Sequence, residues 1–255
     1  MQRAERATPP IWMRNFRMRI SLIFTAFVGF LFVVTAAHAQ DMWGGSLAVT
    51  SDYVYRGVSL SRGQVAYQGG AHLRLPGQWQ VGVWASTIET RDDEGTPFEA
   101  NFMISHAWAL GSDWELRAGY TRYQYFALPS YVNYDHDEVF ASASFRSQLT
   151  LGLNYSPNIA RYRYQQGEEH GAAAAVDATW LQPLFGDWAA TAGLGYYDLS
   201  SLFDTGYAYW HLGIAGVIGP IELDMLFIDT APEAAEIYGE SITEQRWSAT
   251  ARWRF

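Results

Sequence analysis

The stretch Arg246-Trp247-Ser248-Ala249-Thr250-Ala251-Arg252-Trp253-Arg254-Phe255 decides how the rest of the chain is read. At period two, Trp247, Ala249, Ala251, Trp253 and Phe255 share one face, apolar throughout and aromatic at both ends. Arg246, Ser248, Thr250, Arg252 and Arg254 share the other, polar throughout. Such alternation marks a strand between an apolar and an aqueous medium. Trp247 and Trp253 stand about 20 Å apart at roughly 3.3 Å per residue, close to the height of a membrane barrel's apolar band. The expectation is that this strand closes a membrane β-barrel whose other strands lie upstream.

Composition is compatible with that reading. The chain is 49% hydrophobic and 16% aromatic, and it contains no cysteine. Beyond residue 40 no segment approaches the roughly 18–20 apolar residues of a membrane helix. The absence of cysteine excludes a disulfide scaffold and thiolate metal sites. All seventeen basic residues are arginine, for which there is no physical account.

The first forty residues read as an export signal. Arg14, Arg17 and Arg19 form a positive n-region, Ile20 to Val34 an apolar h-region, and Ala37-His38-Ala39 an A-x-A cleavage site. Residues 1–39 are therefore expected to be a signal peptide and residues 40–255 a single barrel domain. Residues 1–12 add nothing to a signal, which leaves Met13 and Met18 as alternative starts. With the signal set aside, 12 basic residues face 25 acidic ones, a net charge of −13. That balance excludes the basic footprint of a nucleic-acid binder.

Apolar residues then alternate in twelve stretches: 44–56, 63–75, 78–90, 97–109, 113–125, 136–146, 149–163, 170–181, 187–197, 205–217, 220–229 and 243–255. Trp79, Val81, Val83, Ala85 and Ile221, Leu223, Met225, Phe227 show the pattern clearly. Each stretch is long enough to cross a bilayer at a tilt. The connections alternate in length, from brief ones such as Pro76-Gly77 and Ile218-Gly219 to longer polar ones at 57–62, 91–96, 126–135, 164–169, 198–204 and 230–242. The predicted fold is all-β: a transmembrane, antiparallel, up-and-down barrel of about twelve strands in the cell outer membrane, with short periplasmic turns and longer outer loops.

The aromatic residues offer a second test. Trp43, Trp79, Trp108, Trp114, Trp180, Trp188 and Trp253 fall at the turn ends of their strands. Tyr53, Tyr55, Tyr67, Tyr120, Tyr123, Tyr125, Tyr155, Tyr162, Tyr164, Tyr196, Tyr197, Tyr207 and Tyr209 fall at the loop ends. Two interfacial belts are expected of such amphipathic rings, whereas a soluble sandwich has no reason to sort them. Trp79, Trp108, Trp114, Trp180, Trp188, Trp247, Trp253 and Phe255 are the candidate membrane-interface anchors.

Thr50-Ser51-Asp52-Tyr53-Val54-Tyr55-Arg56-Gly57-Val58-Ser59, followed by Gln68-Gly69-Gly70 and Gly82-Val83-Trp84-Ala85-Ser86, resembles the opening of the TorF-like putative porins. These are Gram-negative outer-membrane proteins of formerly unknown function. The resemblance implies an outer-membrane barrel and a pore, and supplies no catalytic or ligand residues.

If the aliphatic and aromatic positions face lipid, the alternate positions face a lumen. Many of those are small, among them Ala48, Gly82, Gly119, Gly152, Gly193 and Gly213, which favours a narrow water-filled passage. Folding-in of 230–242 is the one plug the loop lengths suggest. Asp52, Arg56, Arg74, Glu99, Glu115, Arg117, Arg252 and Arg254 are the candidate lumen and selectivity residues, and Glu138, Arg146, Asp177, Glu222, Asp224 and Arg246 share their register. The outer loops are acidic at Asp92-Asp93-Glu94, Asp135, Asp137-Glu138, Glu168-Glu169, Glu233, Glu236, Glu240 and Glu244. A negative vestibule concentrates cations.

These features suggest passive diffusion of small hydrophilic solutes or ions with weak cation preference. A non-conducting structural or adhesive surface barrel is the alternative. An outer-membrane hydrolase would need His211 to meet Ser200 or Ser201, or a metal at His136 or His170 beside their acidic neighbours. Neither set matches a known spacing, so no enzyme activity and no cofactor is expected. Expected partners are outer-membrane lipid and lipopolysaccharide, the barrel-assembly machinery through the C-terminal strand, and small solutes.

Overall fold

In the stretch Arg246–Phe255 the chain adopts the alternation its sequence demands. Trp247 is 58% exposed on the outer wall and Ser248 only 2% exposed on the inner one. The computed structural model describes residues 42–90, 96–128, 133–163 and 167–255. The expected signal peptide, the Asp92-Asp93-Glu94 run and Tyr164 lie outside the described residues.

Twelve strands form a closed barrel: β1 (Trp43–Thr50), β4 (Ala66–Leu75), β5 (Trp79–Thr87), β6 (Phe98–Leu110), β7 (Trp114–Phe126), β8 (His136–Phe145), β9 (Leu149–Arg163), β10 (Gly167–Pro183), β11 (Trp188–Asp198), β12 (Gly206–Ile218), β13 (Ile221–Thr230) and β14 (Arg246–Arg254). Sequential neighbours pair antiparallel, and β1 joins β14 from Ser46↔Arg254 to Thr50↔Thr250. Closure leaves no strand edge unpaired, which in hydrocarbon is the condition for crossing at all. At one end the strands join through three-residue turns such as 76–78 and 111–113, where Gly77 and Gly111 take positive φ that a side chain would resist. At the other end the loops carry three short helices: α1 (Ser200–Phe203) between β11 and β12, then α2 (Glu233–Tyr238) and α3 (Glu240–Thr243) between β13 and β14. Between β9 and β10 the register shifts at Gly171/Ala173, in the stretch where β9 carries Pro157, a residue without an amide to give the ladder.

The outer wall is the expected apolar surface. Leu47, Val83, Phe102, Leu153, Leu194, Leu212 and Met225 are exposed there. Trp43, Trp79, Trp108, Trp114, Trp180 and Trp253 are exposed at the turn end with Phe255, and Trp247 on the loop half of β14. Trp188 is part-buried, its ring lying where a Cβ on Gly216 would otherwise be.

The tyrosines divide differently from the belt expected at the loop end. Tyr67, Tyr120, Tyr155 and Tyr196 face outward, but Tyr53, Tyr123, Tyr197, Tyr207 and Tyr209 are buried inside the barrel. Their register is the inward one. Rings that the sequence places at the right height are filling the lumen rather than meeting headgroups.

The first loop is the larger correction. The alternation over 44–56 suggests one continuous strand, yet β1 leaves the wall at Thr50 and the wall resumes only at Ala66. Residues 51–65 instead turn into the barrel and form a two-stranded hairpin of β2 (Val54–Tyr55) and β3 (Val58–Ser59). Arg56 and Gly57 at its tip both have positive φ, 48° and 81°. That pair of conformations makes a type I′ turn, whose twist matches the strands it joins. Arg146 is a second correction: it sits in the exposed turn after β8, paired with Asp113 at 3.1 Å, and does not line the lumen.

Candidate functional site

The lumen is built from the alternate residues of twelve strands, and its loop half is filled by the hairpin. Asp52 organises the hairpin's base. Its Oδ1 accepts from Ser59 Oγ at 2.5 Å, Ser61 Oγ at 2.9 Å and the Gly63 amide at 3.3 Å, and its Oδ2 from Arg246 on β14 at 3.0 Å. Ser248 Oγ donates to the Asp52 carbonyl. Tyr53 donates its hydroxyl to Glu99 on β6, which Asn101 also bonds at 2.7 Å. The Tyr53 ring meets Trp84 of β5 edge-on.

The hairpin tip reaches the far wall. Arg56 Nη2 donates to Glu138 Oε2 on β8 at 2.8 Å, with the two side chains 1% and 2% exposed. The guanidinium lies 4.7 Å from the Tyr55 ring and 4.6 Å from the Tyr197 ring of β11. An arginine so enclosed keeps its charge at tolerable cost because a carboxylate faces it and aromatic faces flank it. Glu138 also takes hydrogen bonds from Tyr123 and Ser156. Gly57 sits against Thr230 and Tyr209, where a Cβ would overlap the threonine methyl. Val54 and Val58 join one apolar cluster with Ile159, Ala173, Ala175, Tyr197, Tyr207, Tyr209, Leu226 and Ile228. Ile237, Tyr238 and Ile242 of the 231–245 loop cover that cluster. Burial pushes the Tyr53, Tyr55 and Tyr238 hydroxyls up, so each stays neutral.

Toward the turn end the lumen is polar. Asp177 accepts from Asn154 at 2.9 Å and from the Tyr209 hydroxyl. Arg117 pairs with Glu115 at 2.9 Å. Glu222 lies 3.0 Å from Arg254 and 3.7 Å from Arg252. Several small inward residues do not widen a passage as expected. A Cβ on Gly193 would strike the His211 ring, and one on Gly119 would lie 2.7 Å from the Phe140 ring. The glycines let large neighbours lie flat along the wall. Inward Thr121, Asn154, Asp177, Thr191, His211 and Thr250 are all buried.

All eight sequence-derived lumen candidates therefore lie on the inner side. Asp52 and Arg56 belong to the hairpin and Glu99 anchors it, while Arg74, Glu115, Arg117, Arg252 and Arg254 lie toward the turn end. The Arg56–Glu138 contact joins residues 82 positions apart, and sequence spacing carries no signal for it. The hydrolase constellations are not assembled. His211 is buried with Thr191 at 3.4 Å, whereas Ser201 is exposed on α1 and donates to the Ala172 carbonyl. His136 turns inward and stacks on Tyr123 at 4.3 Å, while Asp135 and Asp137 bind Arg122 at 3.2 Å each. Among the described residues no three His, Asp or Glu side chains are grouped to hold a metal.

A family model described as "Bacterial protein of unknown function (Gcw_chp)" matches residues 36–253. The chain belongs to this family. Among curated proteins no sequence matches the chain. Solved structures do resemble this Gcw_chp barrel. A structure described as "KdgM porin" aligns with a TM-score of 0.52 at 8% identity, covering 83% of this chain and 99% of that one. A "NanC porin" structure aligns with a TM-score of 0.51 at 10% identity, covering 82% and 97%. Identities so low speak for the fold alone: a porin-like barrel, which is an outer-membrane architecture. Within that fold, the Gcw_chp chain's opening motif, Thr50 to Ser59, is the segment that leaves the wall and enters the lumen.

Proposed function

We propose that this Gcw_chp protein is a porin-like outer-membrane channel for small hydrophilic solutes or ions, with a weak preference for cations. The observation that carries this reading is the two-sided wall: a closed barrel with an apolar exterior and a lumen lined by charge, including Arg74, Glu115, Arg117, Glu222, Asp224, Arg252 and Arg254. The acidic loop end, with Asp135, Asp137, Glu168, Glu169, Glu233, Glu236, Glu240 and Glu244, supports cation preference by raising the local cation concentration. The turn-end lumen argues for keeping that preference weak, because its arginines roughly balance its carboxylates. The TorF-like name suggested by the opening motif fits the same reading, as do residues 1–39 acting as a signal peptide.

The filled loop half favours a second reading, a barrel that does not conduct and serves as a structural or adhesive surface. Refolded protein in planar bilayers under a salt gradient separates the two. Discrete openings with a reversal potential on the cation side are expected. Clear anion preference would overturn the selectivity, and a lasting absence of conductance even with the lumen-filling 51–65 segment removed would overturn the channel itself.

A further inference from the structure

Residues 51–65 are more chain than their position requires. Thr50 of β1 and Ala66 of β4 are already paired neighbours, and two residues are enough to join such a pair. Most of the rest, residues 52–61, enter the lumen and are buried or part-buried there against strands on several sides. Tyr53 reaches β5 and β6, Tyr55 packs on Tyr123 of β7, and Arg56 reaches β8 and β11. Gly57 meets β12 and β13, and Asp52 meets β14. A segment touching eight of the twelve strands occupies the lumen at that level.

The segment is also organised to move as one piece. Its internal bonds, Val54↔Ser59, Tyr55↔Val58, the Leu60 amide to the Tyr53 carbonyl and the Asp52 carboxylate to Ser59, Ser61 and Gly63, hold it together without help from the wall. Val54 and Val58 hold it to the wall by apolar packing, and at its tip Arg56 adds a single ion pair with Glu138. A buried ion pair adds little net stability, but it defines one position sharply, since either partner alone is strongly disfavoured. Backbone turns with positive φ at Arg62 and Gly63 lie where the segment returns to the wall. The exit toward the loop end is covered by α3, which touches β3, with Arg62 Nη2 at 3.4 Å from Ser241 Oγ.

We infer that the 51–65 hairpin is the gate of the channel: a plug latched shut by Arg56 on Glu138, which opens the lumen by withdrawing toward the loop end as the 231–245 loop over it lifts. The inference rests on the channel reading above and assigns the opening stretch Thr50 to Ser59 a role in it. The opening requires Arg56 to leave Glu138 of β8 and the Tyr197 ring of β11 together, so the closed state predominates at rest.

The test is single-channel recording of three refolded full-length proteins: parent, Arg56→Ala, and a variant with residues 51–65 replaced by Asn-Gly. Heat-modifiable electrophoretic mobility and circular dichroism establish that each is folded. The parent is expected to be closed for most of the record. The replacement should lose the closed level and conduct continuously, and Arg56→Ala should shift the closed-to-open ratio by about 100-fold. A parent that conducts as steadily as the replacement overturns the gate and leaves the channel reading intact. A folded, inserted replacement that stays silent overturns the channel reading itself. If the replacement does not fold, Arg56→Ala decides the matter: an unchanged open probability refutes the latch.

Discussion

The Arg56–Glu138 latch can be examined without recording a current. Val58 is 4% exposed on β3, and the chain has no cysteine, so Val58→Cys supplies a single thiol inside the closed plug. The swap is nearly volume-conserving and should cost less than about 1.5 kcal/mol. In that background, Arg56→Ala leaves the Glu138 carboxylate in the lumen with its countercharge gone. Breaking a buried pair from one side costs about 3–5 kcal/mol. The loss of stacking on Tyr197 of the wall adds about 0.5–2 kcal/mol. The cost is capped by what holds the hairpin in, because the plug can leave and let Glu138 hydrate. Labelling by a membrane-impermeant maleimide should therefore accelerate by about 100- to 1000-fold. Arg56→Met with Glu138→Leu, which removes both charges and keeps the volume, should return labelling to within about tenfold of the parent. An acceleration below about threefold for Arg56→Ala, the size expected of an exposed ion pair, would refute the reasoning. So would equal acceleration in the apolar pair, which would assign the effect to packing.

Three further outcomes are expected. Gly193→Ala should lower the urea midpoint of the barrel by the equivalent of about 1–3 kcal/mol, because its methyl meets the His211 ring. Combined with His211→Ala it should be clearly less than additive, and simple additivity would mean the ring does not lie over the glycine. Leu153→Arg, on the exposed outer wall of β9, should cost about 2–4 kcal/mol if it faces mid-bilayer, read as a lower folded yield in vesicles. Parent-like yield would mean that wall does not meet lipid. Deletion of Phe255 removes its two backbone bonds to Gly45 and its ring contacts with Trp43 and Trp253. Surface assembly should fall while the unitary conductance of inserted molecules stays unchanged, and normal surface levels would count against a C-terminal assembly signal.

The sequence by itself determined the wall. A period of two is a local property, so Trp247, Ala249, Ala251 and Trp253 announce their face wherever the strand is placed. The twelve strands, the turn-end tryptophans and the inward register of Arg74, Glu115, Arg117, Arg252 and Arg254 follow from such local rules. Only the tertiary structure decided what fills the barrel. The alternation in Tyr53-Val54-Tyr55 stays in phase with β1, so period alone cannot reveal that the chain has already left the wall at Thr50. Faint signals exist: Ser51-Asp52 is a turn-forming pair, Gly57 follows Arg56 at a tight turn, and Val54 and Val58 are more apolar than a solvated loop needs. None of them names a destination. Arg56 finds Glu138, and Tyr197 and Tyr209 find the hairpin, because barrel closure brings strands distant in sequence to face one another across the lumen. A contact set by closure has no counterpart in spacing along the chain.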